Sequence, residues 1–304
     1  IIGSGVLGAY LALELLKNKE EVIVTTRSIK KKIKNYHYLK IQKKVKFIKL
    51  DVGKKTEIKK IINEFNPDKI FYFAGQSSLT KSLKDKKGTF ISHYEGTKNF
   101  LDIIKQGNLE IKFFKANSGY IFSPKKGLID INCKFSPNRN PYIKAQQMTF
   151  KLIKRYRKFG LNLFNLVFMQ IESPLRPKDF FIKKVCLGAK KQKKIEVGNI
   201  NTYRDYSWIT EIVKATILLS QLNAKDFIIS AGKKMSGKEI LSMSYNLNKL
   251  DYKKYFFIKK KFYRKNEDKI LVSSNKNSLY LKKKFNFKFK IFGNRLINRM
   301  YKNI

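Results

Sequence analysis

The chain has 304 residues, 43% of them hydrophobic and 13% aromatic, which is enough for a buried core and too much for a disordered polymer. Its 67 Lys and Arg against 22 Asp and Glu give a formal charge of +45, on its face the mark of a nucleic-acid binder. Only nine of those basic residues are Arg, and the lysines run through the whole chain amid abundant Ile, Asn, Phe and Tyr, so the excess reads as compositional drift, with no specific nucleic-acid partner expected.

Cys133 and Cys186 are far apart, and His37 and His93 are the only histidines. Neither a metal site of ordinary ligand spacing nor a disulfide framework can be built from them, which points to a reducing, cytoplasmic setting. No apolar run approaches the ~18 residues of a membrane span. The first 16 residues imitate a signal-peptide core but lack a basic leader. The chain opens part-way into a strand, so residues are expected before Ile1.

In chain order, apolar runs predict strands over 21–26, 45–50, 69–73, 111–116 and 161–169. Helical patterns fill 6–17, 54–65, 89–105 and 142–159. Ile-, Val- and Phe-rich strands alternating with helices specify an α/β fold, a Rossmann-type doubly wound parallel sheet covered on both faces. Beyond about residue 170 the elements become shorter and mixed. We therefore expect a dinucleotide-binding domain over 1–170 and a smaller C-terminal α+β substrate-binding lobe over 171–304.

Gly3-Ser4-Gly5-Val6-Leu7-Gly8 lies between a strand fragment and an apolar helix. Glycines at these three places allow a tight turn, close approach of backbone amides to a pyrophosphate, and close helix–strand packing. At the end of the second strand, where a carboxylate would accept the ribose hydroxyls of NAD, stands Arg27. A guanidinium there pairs with the 2′-phosphate of NADP, so NADP is the expected cofactor, with NAD the alternative. Asp51 and Val52 follow the third strand at the adenine position. Phe73-Ala74-Gly75-Gln76-Ser77 ends the fourth strand in small residues, letting the cofactor pass close to Ala74, Gln76 and Ser77.

These residues resemble the extended short-chain dehydrogenase/reductases of the NAD-dependent epimerase/dehydratase family, and most of all the GDP-mannose 4,6-dehydratases. The likeness runs over nearly the whole chain. It includes Gly96-Thr97, Pro141-Tyr142, Glu172-Ser173-Pro174-Leu175-Arg176-Pro177, Gly198-Asn199 through Tyr203-Arg204-Asp205, Ala231-Gly232 and Phe262-Tyr263-Arg264. The resemblance implies a homo-oligomeric enzyme acting on a nucleoside-diphosphate sugar such as GDP-mannose. It would oxidise C4, remove water across C5 and C6, and return hydride to C6.

By the same resemblance, Tyr142 takes the proton of the sugar 4-hydroxyl and Ser118 hydrogen-bonds the same oxygen. Two positions depart from the pattern. Gln146 stands where a Lys lowers the Tyr pKa, and Tyr120 stands where a Glu removes the C5 proton. A Lys about 4 Å from a phenolate is worth roughly 4 kcal/mol at an effective dielectric of about 20, close to three pKa units. Gln146 brings hydrogen bonds without charge, and Lys144, at i+2, points elsewhere on the helix.

Tyr120 is a poor base but a competent acid. Ser118-Gly119-Tyr120-Ile121-Phe122 is also similar to the matching stretch of 4-keto-sugar reductases, which need no C5 base. A reductase or epimerase, or a catalytically degenerate sugar-nucleotide-binding homologue, is therefore the alternative. The resemblance further places Arg176 by the cofactor, and Gln170, Lys184, Arg204 and Arg264 on the substrate side, with the two last arginines on the diphosphate. His93 and Trp208 read as structural residues.

Overall fold

The computed structural model describes residues 1–29, 33–263 and 267–304. It contains two compact units. The first comprises Ile1–Phe122, Lys134–Val167 and Val213–Phe227; the second comprises Ser123–Cys133, Phe168–Ile212 and Ile228–Ile304. The strands are β1 (Ile23–Thr26), β2 (Lys46–Lys49), β3 (Lys69–Tyr72), β4 (Lys112–Ser118), β5 (Leu128–Ile129), β6 (Leu163–Phe168), β7 (Gln170–Glu172), β8 (Ile195–Val197), β9 (Tyr203–Trp208), β10 (Asp226–Ile229), β11 (Lys234–Ser236), β12 (Phe256–Ile258) and β13 (Ile270–Ser273). The helices are α1 (Val6–Lys17), α2 (Lys34–Tyr38), α3 (Lys55–Phe65), α4 (Leu79–Lys84), α5 (Lys86–Phe90), α6 (Gly96–Gln106), α7 (Pro141–Arg157), α8 (Phe181–Lys190), α9 (Ile209–Leu219), α10 (Gly237–Asn246), α11 (Lys276–Phe285) and α12 (Gly293–Lys302).

The first unit is built on a parallel sheet. β1 pairs with β2, β3 pairs with β4, and β4 neighbours β6. Ile2 bridges Thr25 on one side and Tyr72 on the other, both in parallel. The resulting order, β2-β1-Ile2-β3-β4-β6, reverses at Ile2, and that reversal is the switch point at which doubly wound sheets hold their ligands. Every residue of β6 is buried, as expected of a strand covered on both faces. On one face Phe100 packs edge-on against Tyr72, and Phe113 lies tilted against both. On the other, Phe114 stacks between Phe71 and Phe164, with ring centres 4.6 Å and 4.4 Å away.

The helix expected over 89–105 is interrupted. Asp85 caps α5, and a π-helical turn, Ile91–Glu95, separates α5 from α6. Such turns insert one residue into the helical repeat and are frequent at functional sites. Here the turn carries His93 inward, to 4% exposure. α7 starts where the sequence allows it to: the Asn140 side chain accepts from the Tyr142 amide, and Pro141 occupies the first turn.

The second unit mixes strand directions. β9 pairs in parallel with β7 and β13 and antiparallel with β11, and β13 pairs in parallel with β5. Its core brings together Ile182 and Cys186 of α8, Leu241 and Tyr245 of α10, and Leu296 and Met300 of α12. Trp208 lies in this core, which accords with its reading as a structural residue. α10 opens with a complete capping box, Ser236 accepting from the Glu239 amide while the Glu239 carboxylate accepts from the Ser236 amide. Ser236→Ala is expected to cost about 1 kcal/mol, measurable as a lower urea midpoint at unchanged slope.

Candidate active site

The glycine turn fits its predicted task. Gly3 has φ +106°, and a Cβ there would lie 2.8 Å from the Ala74 amide nitrogen. A Cβ on Gly8 would lie 2.3 Å from the Gly3 carbonyl, whereas one on Gly5 would meet nothing within 4 Å. The backbone therefore closes tightly on itself and against Ala74 while leaving open space at Gly5, the N-cap of α1. No side chain caps that helix, so its first amides are left to an anionic group. These features fit a dinucleotide pyrophosphate.

Arg27 is exposed directly after β1. The Asp51 carboxylate accepts from the Gly53 amide at 2.9 Å, forming a tight turn after β2, with Val52 buried beside it. Gln76 is fully engaged: its side chain accepts from the Ser78 amide and donates to Thr89, and its carbonyl accepts from His93 at 2.9 Å. Ser77 is exposed on the same loop.

Ser118 ends β4, and its hydroxyl accepts from the Tyr120 amide at 3.3 Å, starting the 3-10 turn Gly119–Ile121. Tyr142 stands in the first turn of α7, 7% exposed, its ring 5.4 Å from His93 in an edge-on arrangement. Gln146, one turn on, is 3% exposed, and its Nε2 lies 3.3 Å from His93 Nδ1. Because the Gln76 carbonyl fixes the proton on His93 Nε2, Nδ1 accepts and the Gln146 amide donates. That orientation leaves the Gln146 Oε1 buried with no hydrogen-bond partner. An orphaned acceptor at this point fits a ribose hydroxyl of a bound dinucleotide.

Sequence reasoning took His93 as structural and did not single out Lys115. His93 contacts Gln146 and Tyr142 directly. Burial, reinforced by the nearby Lys115 charge, lowers its pKa to about 3, so it is neutral at physiological pH. Lys115 is 1% exposed, and burial pulls its amine down to about 7. A lysine between Phe114 and Ala116 inside an apolar strand was the available signal, hidden among so many lysines.

The remaining site residues belong to the second unit. Arg176 stacks on Phe180 at 3.6 Å and donates to the Ile171 carbonyl. Glu172 beside it is buried, with Oε2 unpartnered, and burial raises its pKa to about 7. Gln170 is half-buried on β7. Lys184 donates to the Glu196 carbonyl and lies over the Phe262 ring. Arg204 is 5% exposed and ion-paired with Glu267 at 2.6 Å. Arg264 lies outside the described residues. Among the described residues no cluster of His, Cys, Asp and Glu could hold a metal, and no helix is long and apolar enough to cross a membrane.

A doubly wound sheet with this glycine turn is the framework of a dinucleotide-binding protein. More narrowly, the chain belongs to the GDP-mannose 4,6-dehydratase family, whose model matches residues 3–300. It is 25% identical over 228 residues to GDP-mannose 4,6 dehydratase 1 of Arabidopsis thaliana, covering 71% of this chain and 63% of that protein. It is 27% identical over 255 residues to the Cricetulus griseus enzyme, covering 78% and 68%. Some matches cover less, 51% of GDP-mannose 4,6 dehydratase 2 of Caenorhabditis elegans, so the chain spans about half to two thirds of the length of its curated relatives. In fold it matches the Thermus thermophilus UDP-glucose 4-epimerase complex with NAD, at TM-score 0.81 and 20% identity over 98% of this chain and 97% of that one. It also matches a Bacillus cereus UDP-glucuronic acid 4-epimerase, at TM-score 0.85 and 17% identity over 99% and 97%.

Proposed function

We propose that this chain is an NADP-dependent nucleotide-sugar 4,6-dehydratase acting on GDP-mannose or a close relative. The family match over residues 3–300 supports the reading most strongly. The exposed Arg27 after β1, where NAD would call for an acid, supports NADP.

The cofactor would be held by the Gly3–Gly8 turn at its pyrophosphate, by Arg27 and Asp51 toward the adenosine, and by the Gln146 carbonyl oxygen at the second ribose. Held there, a nicotinamide would supply the hydride chemistry of the reaction. Tyr142 removes the 4-hydroxyl proton while Ser118 hydrogen-bonds the same oxygen. Tyr120 donates a proton to the departing C6 hydroxyl, while the base that takes the C5 proton is assigned to no residue. On the second unit, Arg204 and Lys184, held by Glu267 and the Glu196 carbonyl, are assigned with Arg264 to the sugar diphosphate. Tyr120 also favours a second reading, a 4-keto-sugar reductase, for which no C5 base is needed.

Purified protein incubated with NADP and GDP-mannose is expected to form the 4-keto-6-deoxy product, and Tyr142→Phe to lower kcat by about 100-fold or more. NADPH consumption on a supplied 4-keto sugar, without dehydration of GDP-mannose, would replace this reading with the reductase. Tight binding with neither reaction would make the chain a binding homologue.

A further inference from the structure

Gln147 of α7 is half-buried, and its Nε2 donates to the Ile121 carbonyl at 3.0 Å and to the Ser136 carbonyl at 2.7 Å. A side-chain amide has two N–H donors, and here both go to main-chain oxygens. The Ser136 amide donates to the same Ile121 oxygen at 2.8 Å, and Phe122 and Phe135 bridge antiparallel beside it. Those two rings stack 5.6 Å apart, and Phe150 of α7 meets both edge-on, at 5.5 Å and 5.7 Å. The helix thus grips the Gly119–Ile121 turn twice, with an amide and with a ring. From there the turn leads back to Ser118. The Phe122 amide donates to the Gly119 carbonyl at 3.2 Å, and the Tyr120 amide donates to the Ser118 hydroxyl oxygen at 3.3 Å. A hydroxyl that accepts from an amide keeps its own proton to give to another oxygen. Because β4 ends at Ser118, the strand ladder does not extend over the turn, and the grip of α7 takes over where the ladder stops.

We propose that Gln147 is a positioning residue, which ties the turn beginning at Ser118 to the helix that carries Tyr142, so that both hydroxyls are presented to one substrate oxygen. This rests on the reading of Ser118 and Tyr142 as the groups acting on the sugar 4-hydroxyl. Gln147 touches no reacting atom and acts through Ser118. Its leverage is geometric, since a misplacement of about 1 Å in a reacting constellation costs about 100-fold in rate. The Ser118 hydroxyl takes its direction from the Tyr120 amide, that amide from the turn, and the turn from the two hydrogen bonds of Gln147.

The test compares wild type with Gln147→Met, which keeps the shape and loses both donors, and with Gln147→Lys, whose ammonium can donate to the same two carbonyls. Gln147→Asn, one methylene shorter, replaces the Met variant should that not fold. With NADP and GDP-mannose, Gln147→Met is expected to lower kcat about 10-fold or more while KM and NADP affinity change little, and Gln147→Lys to keep most of the activity. Ser118→Ala supplies the background that separates positioning from general support. Adding Gln147→Met to it should cost less than about 2-fold more, because the group through which Gln147 acts is already gone. A second readout needs no turnover. Hydrogen exchange at the Tyr120 and Phe122 amides should accelerate about 10-fold or more in Gln147→Met, with the amides of β6 unchanged. If wild type turns over no sugar nucleotide, the functional reading fails while the exchange measurement still decides whether Gln147 holds the turn. Unaltered exchange at both amides, an unchanged kcat in Gln147→Met, or losses that simply multiply in the double variant would overturn the proposal.

Discussion

Alanine at position 75 should cost about 3 kcal/mol or more of folding stability. Two independent penalties combine there. Gly75 has φ +125°, a region in which a side chain costs about 1–3 kcal/mol. The added Cβ would also lie 2.3 Å from His93 Cε1 and 2.6 Å from Nε2. The imidazole cannot swing away cheaply, because the Gln76 carbonyl and Gln146 hold its two nitrogens and Tyr142 packs on its edge. Overpacking of that kind adds about 1–3 kcal/mol.

Urea unfolding should show the loss as a lower midpoint at unchanged slope. Removing the ring as well, in Gly75→Ala/His93→Ala, should recover the steric part and leave the backbone part. The two changes are therefore coupled, not additive. A loss below about 1 kcal/mol would mean that His93 is not held as described. Because the same loop carries Ala74 against the Gly3 turn, dinucleotide affinity should fall with stability.

Legibility in the sequence followed the range of the interactions involved. The Gly3–Gly8 turn, the strands around Ile70 and Phe114, and the body of α7 could be read directly. Each is set by local rules: positive φ, apolar runs and helical periodicity. The π turn at Ile91–Glu95 was not legible, since the residues on either side have ordinary helical patterns and the extra residue is fixed by packing against α7. His93 went unrecognised as a neighbour of Gln146 for the same reason. Lys115 was hidden by composition, because a lysine carries little information in a chain where lysine is the default polar residue, until burial separates it from the rest. Arg204 gave the opposite case. It was conspicuous as a rare arginine in a motif, yet its partner Glu267 lies 63 residues away and no spacing rule connects them.

Replacing Lys115 by methionine is expected to stabilise the fold at neutral pH, and the pH dependence of the gain identifies its cause. An unfolded lysine titrates near ~10.4. The folded Lys115 has its pKa lowered by burial to about 7. Between these values the unfolded chain holds a proton that the folded chain does not, so the Lys115 contribution to stability rises with pH across this window. Below about 7 the folded protein carries the whole cost of a buried ammonium, about three pKa units or roughly 4 kcal/mol; above about 10 it carries almost none.

Lys115→Met removes the group and with it the dependence. Subtracting the wild-type unfolding free energy from that of the variant cancels every other lysine. The difference should favour the variant by about 3–4 kcal/mol at pH ~7 and shrink steadily toward pH ~10. A difference that is flat with pH would mean that Lys115 titrates as an exposed amine and is not desolvated as its burial implies.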